Sequence, residues 1–141
     1  MDRSSAIKAL RRELARGRTI RNIQSLLDWD EQVSMPPKAA SSRADQIEAI
    51  AEIGHKFDTS MELAQAISDV EGAADLSAEE KALVREARYD FDRATKVPAA
   101  LVAAVAAQRS RTYQAWVEAR KTDRFVLVSG ELTRMFKLAI E

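Results

Sequence analysis

Apolar residues recur at intervals of three and four along nearly the whole chain, and almost nothing interrupts them. Ile7, Leu10 and Leu14 share one helical face, and Leu83, Val84, Ala87, Phe91 and Ala94 form the cleanest such stripe. Only 4 Gly and 3 Pro stand among 141 residues, too few to punctuate the many short strands of a sandwich or the loops of an α/β nucleotide-binding fold. The pattern predicts an all-α protein, a single helical domain of about six or seven helices over residues 1–141.

The boundaries follow from capping chemistry. Ser4 or Ser5 can open a first helix and Gly17 can close it. Thr19 can then open a second along Ile20, Ile23, Leu26, Leu27 and Val33. The two can also be one helix, because an interior glycine costs only about 1 kcal/mol. Pro36-Pro37 ends this run, since neither proline donates a backbone hydrogen bond. A third helix is expected from Ser41 or Ser42 and a fourth from Asp58 or Thr59. Gly72 to Asp75 reads as a loop. Ser77-Ala78-Glu79-Glu80 reads as a capping box ahead of the fifth helix. Pro98 suits the start of a long sixth helix, on which Tyr113 and Trp116 read as core, and a break near Asp123 to Gly130 precedes a last helix with Phe136 on its apolar face. That helix arrives at Glu141 with no Gly or Pro stop signal. The expectation is a fraying end or a parent chain that once continued.

Composition removes whole classes of chemistry. There is no cysteine and one histidine, His55. Disulfides, thiolate sites and thiol nucleophiles are thereby excluded, and a zinc centre of three or four mostly His and Cys ligands cannot be assembled. No nucleophile elbow and no phosphate-binding glycine loop occurs. His55, near the end of the third helix, reads as a structural residue or a helix C-terminal charge. The densest acidic group is Asp28-Trp29-Asp30-Glu31. A divalent cation would need more oxygen ligands than this face offers, so a salt-bridged helix end is the expected role. No cofactor is implied. No apolar run reaches membrane-spanning length, so no membrane partner is expected. The charged N-terminus has no signal-like core, which points to a cytoplasmic protein.

The formal charge sums to zero but is segregated: residues 1–21 carry net +5, residues 22–92 net −10, and residues 93–141 net +5. Complementary helices attracting one another explain this. The sharper alternative is an anion-binding patch of Arg11, Arg12, Arg16, Arg18 and Arg21. Nucleic-acid binding draws little support, because no recognition motif accompanies the basic arm.

One constellation is specific. Leu26-Leu27-Asp28-Trp29-Asp30 followed by Met35-Pro36-Pro37, then Arg43, His55, Val84-Arg85-Glu86, Tyr89 to Ala94, Lys96-Val97-Pro98 and Trp116 with Ala119-Arg120, resembles the N-terminal region of the carboxypeptidase Taq metallopeptidases. The likeness runs in order over nearly the whole chain. It departs at the tail, where Arg124 splits Asp123 from Phe125, and Val128 and Gly130 stand where the family has phenylalanine and proline.

The resemblance implies a scaffold: Trp29, Asp30, Met35, Pro36, Arg43, His55, Pro98, Trp116 and Arg120. The family's chemistry uses a His-Glu-x-x-His helix with a further glutamate, and no such helix occurs in these 141 residues, so no catalytic or metal-binding residue carries over. In the family this region is a helical subdomain beside the substrate cleft of enzymes that are commonly homodimers. The expectation is a non-catalytic relative acting as a regulatory or protein-interaction module, either a homo-oligomer or a partner of a full-length carboxypeptidase. The starting Met, the charge balance and the altered tail favour a free-standing short relative over a fragment of an active enzyme.

Overall fold

The structure is a computed structural model and describes residues 2–140. Among the described residues there are six α-helices and one short 3-10 turn, and no strand. The helices are α1 (Arg3–Val33), α2 (Ala40–Asp58), α3 (Met61–Glu71), α4 (Ala78–Ala94), α5 (Ala99–Thr122) and α6 (Val126–Ile140), with the 3-10 turn at Pro37–Ala39. No helix is long and apolar enough to cross a membrane among the described residues.

Helix α1 begins two or three residues earlier than the serines suggest. The Asp2 carboxylate accepts from the Ser5 amide at 3.1 Å and from the Ser5 hydroxyl at 2.7 Å, so Asp2 supplies the cap. Gly17 does not end the helix. A Cβ at Gly17 would sit 3.0 Å from the Phe57 ring, so the missing side chain makes room for an aromatic edge. The helix runs on to Val33, and the amides of Ser34 and Met35 both close on the Asp30 carbonyl before the prolines.

Helix α2 continues through Asp58, and Ser60 rather than Asp58 or Thr59 caps α3 by accepting from the Leu63 amide at 3.3 Å. The Thr59 hydroxyl donates to the His55 carbonyl at 2.8 Å and helps finish α2. The capping box before α4 is complete: Ser77 Oγ accepts from the Glu80 amide, and the Glu80 carboxylate accepts from the Ser77 amide at 2.7 Å. The break between α5 and α6 is only three residues long. Asp123 adopts a left-handed φ of 52°, and the Arg124 amide returns to the Ala119 carbonyl at 2.9 Å. Gly130 therefore lies inside α6.

The chain divides into two compact units. The first takes the stretch up to Asn22 with Ile53–Pro98, and the second takes Ile23–Glu52 with the stretch from Ala99 onward. The core of the first unit joins Ile7 and Leu10 of α1 to Leu63, Ile67 and Val70 of α3 and to Val84 and Ala87 of α4. Leu10, Ile67 and Val70 are completely buried. In the second unit Ile47 and Ala51 of α2 meet Ala106 of α5, with Leu27 and Val102 packed against them. Helices α5 and α6 lie side by side, with Ala107, Ala119 and Val128 among the buried residues of this unit.

Two core assignments are overturned. Trp116 is 48% exposed and Phe136 is 63% exposed. Helix α5 buries a face of small residues, Ala106, Ala107, Ser110 and Ala119, so its large aromatic falls on another face.

Candidate functional site

The motif around Trp29 folds into a clamp at the C-terminal end of α1. From the first turns of α2, the Arg43 guanidinium reaches the Asp30 carboxylate at 2.6 Å, the Leu27 carbonyl at 2.9 Å and Gln46 Oε1 at 2.9 Å. The intervening Met35, Pro36 and Pro37 make the sharp turn that brings these helix ends together. Asp28 pairs with Arg109 of α5. Glu31 accepts from the Ser110 hydroxyl and from the Gln114 amide. All three carboxylates of the acidic cluster are therefore committed to neighbouring helices. Trp29, between them in sequence, points outward and is 57% exposed.

These partners decide the cluster's chemistry. Asp28 and Asp30 are each neutralised by a guanidinium and Glu31 is held by neutral donors, which leaves no converging oxygens for a cation. Among the described residues no three His, Asp or Glu side chains are grouped to hold a metal ion. The donor set does not fit the metal of a metallopeptidase: His55 is the single imidazole, and it sits in the last turn of α2.

Of the other scaffold positions, Arg120 lies over the Trp116 ring at 5.7 Å, and Tyr113 stacks on the same ring at a centroid distance of 6.0 Å. Pro98 directly precedes α5 and is exposed. The structure thus brings Asp30, Met35, Pro36 and Arg43 into one turn, places Trp116 with Arg120 on α5, and leaves His55 and Pro98 in the first unit.

The basic arm is largely matched by acids within the first unit. Arg11 pairs with Glu79 at 3.0 Å, and Arg3 pairs with Glu80. Arg12 and Arg16 flank the buried Glu13 at 3.1 and 2.9 Å, and Arg21 holds Asp58 at 3.1 Å. Arg18 is exposed. Arg11 and Arg21 of this arm pair with other helices and Arg12 and Arg16 with Glu13 of α1 itself, and these pairs dilute the positive field a polyanion would meet.

Two features escaped the sequence reading. In the first unit an open cleft of about 400 Å³ is lined by Gly17, Arg21, Phe57, Asp58, Asp90 and Phe91, among others. Burial raises the Asp58 carboxyl above its ordinary value, and Arg21 only partly offsets this. In the second unit the buried Gln108 amide donates to the Glu131 carboxylate at 2.7 Å and to the Glu131 carbonyl at 3.2 Å. That donation, with help from Arg134, holds the Glu131 carboxyl below the usual carboxylate range. A glutamine following the Ala-rich run up to Ala107 was the signal that a buried polar contact was needed there.

Comparison with known proteins agrees with the motif. The family model for carboxypeptidase Taq (M32) metallopeptidase matches residues 9–141. The chain belongs to this family of metallopeptidases. Thermostable carboxypeptidase 1 of Thermus thermophilus is 28% identical over 123 residues, which is 85% of this chain and 24% of that protein. A solved structure described as "The Structure of CHT" superimposes with a TM-score of 0.68 at 28% identity, covering 95% of this chain and 27% of the other. The chain spans about a quarter of the length of these relatives.

Proposed function

We propose that this chain is a non-catalytic member of the carboxypeptidase Taq family that works by protein contact, binding a full-length carboxypeptidase of the family and modulating it. The observation that carries this reading is an inventory. The chain matches the family model over residues 9–141, yet its 141 residues hold one imidazole, no thiol and no His-Glu-x-x-His helix. A scaffold without the family's His-Glu-x-x-His motif has its surface left to act with.

The test mixes the purified chain with the full-length family carboxypeptidase of the same organism. Light scattering reports complex mass, and release of C-terminal residues from a peptide reports rate. A complex and a changed rate are expected, with no hydrolysis by the chain alone. Absence of both, or metal-dependent hydrolysis by the chain alone, overturns the proposal.

A second reading is favoured by the coverage of about a quarter of each relative. In that reading the chain is the N-terminal part of an active metal-dependent carboxypeptidase. A reading frame that continues past codon 141 into a His-Glu-x-x-His helix supports it, and a stop codon there rejects it.

A further inference from the structure

The cleft of the first unit is lined by apolar and aromatic side chains and by two carboxylates, one of which has no partner. Its volume of about 400 Å³ falls in the range of small-molecule clefts, roughly 300–1,000 Å³. Leu14, Leu63 and Ala87 supply apolar lining from α1, α3 and α4, and Phe57 and Phe91 add two rings from α2 and α4. The carboxylates are Asp58, the last residue of α2, and Asp90 on α4.

The cations nearby do not match both acids. Arg21 meets Asp58 at Oδ1, 3.1 Å away. Among the described residues the exposed Asp90 side chain makes no hydrogen bond or ion pair. The neighbouring guanidiniums are committed elsewhere. Arg93 lies 5.4 Å from the Tyr89 ring centroid and donates to the Tyr89 hydroxyl at 3.4 Å. Arg88 is held by Glu71 at 2.7 Å and Arg16 by Glu13 at 2.9 Å. The two acids also feel each other. Burial is the main cause that raises the Asp58 carboxyl, Arg21 and His55 pull it back, and the Asp90 charge adds to the rise.

We propose that this cleft binds a small organic monocation, an amine, amidine or guanidine, with its charge beside Asp90 and Asp58 and its apolar body against Phe57 and Phe91. An anion would meet the unmatched Asp90 charge. A hard dication takes six or more oxygen ligands, and among the described residues no three acidic or imidazole groups gather to hold one. Aromatic rings attract cations, as these two already do: Arg16 lies 5.5 Å from the Phe57 centroid and Arg88 5.8 Å from that of Phe91. The volume suits a free molecule better than a stretch of polypeptide. This site goes beyond the protein contact proposed above and does not rest on it.

The test titrates the purified chain at neutral pH with benzamidine and, in parallel, with benzamide and benzoate, which keep the ring and change the charge. Amide and aromatic chemical shifts are followed. Benzamidine should move the signals of Phe57, Asp58, Asp90 and Phe91 saturably at millimolar concentration, and the neutral and anionic rings should not. Asp90→Asn should weaken binding by about fivefold, the scale of one solvent-accessible ion pair. Asp90→Lys, which places a cation of the chain's own in the cleft, should abolish it. Both changes fall at an exposed position without partners, so helical circular dichroism should stay the same. No saturable shift at these residues, equal binding of the three probes, or binding indifferent to both substitutions overturns the proposal. A capped arginine tripeptide that binds more tightly than benzamidine by about tenfold, a difference of about 1.4 kcal/mol, overturns the choice of a free molecule. No carboxypeptidase takes part in these measurements, so their failure leaves the protein-contact reading where it stands.

Discussion

Arg43 holds Asp30 at 2.6 Å while donating to the Leu27 carbonyl at 2.9 Å, so one side chain from α2 secures both the charge and a backbone acceptor near the end of α1. Its side chain is only 15% exposed. Arg43→Ala should therefore lower stability by about 1–3 kcal/mol, the range for hydrogen bonds to charged groups and for polar partners left unpaired. Arg43→Lys should recover only part of this, because a single ammonium cannot span the planar fork of contacts. Urea unfolding curves for the two variants check the ordering, and equal midpoints for Lys and Arg would contradict it.

Gly17 and Phe57 are coupled by space. In an exposed helix interior, Gly→Ala stabilises by about 1 kcal/mol. Here the new methyl meets the Phe57 ring at 3.0 Å. Gly17→Ala should be neutral or destabilising in the native background and stabilising in a Phe57→Ala background. A double-mutant cycle reads the difference directly, and the same gain in both backgrounds would remove the packing role assigned to Gly17.

Asp58 should titrate above the ordinary value of an aspartate and Glu131 below that of a glutamate. For Glu131, whose carboxyl is held low by Gln108 and Arg134, the folded state binds fewer protons than the unfolded state. Its stabilising contribution is complete above the unfolded value and is lost as pH falls through the folded one. Asp58 is raised by burial, so the sign reverses, and its contribution improves as pH falls through the raised value. Carboxyl chemical shifts followed against pH report both midpoints. In unfolding experiments Glu131→Gln should flatten the loss of stability on acidification. A Glu131 midpoint at or above the ordinary glutamate value, or an Asp58 midpoint at or below the ordinary aspartate value, would refute the assignment.

Ser77→Ala should cost about 1 kcal/mol, the usual value of an N-cap. Ser77→Asp should retain most of the stability, because a carboxylate accepts from the same amide and suits the positive end of α4. Thermal melts and amide exchange in the first turn of α4 measure this. Unchanged exchange at Glu80 in the Ala variant would show that the cap is dispensable.

Local chemistry was legible in the residues. The three- and four-residue spacing specified helices, the Ser77–Glu80 box marked the start of α4, and the family motif at Leu26–Pro37 marked the kinship. Inventory also bounded the chemistry, since one imidazole and no thiol leave these 141 residues few of the ligands that a zinc centre usually takes. Tertiary structure decided what spacing could not. Gly17 is a helix stop by composition, and only the approach of Phe57, forty positions away, turns it into a packing site inside a continuous helix. Trp29 and Trp116 have the apolar character of core residues, yet α1 and α5 bury other faces, because small alanines allow close approach and the acids of α1 need the cations and hydroxyls of α2 and α5. Periodicity states that a helix has a face. Which face is buried depends on the partners the fold brings to it, and those contacts join residues too far apart in the chain for local pattern to encode.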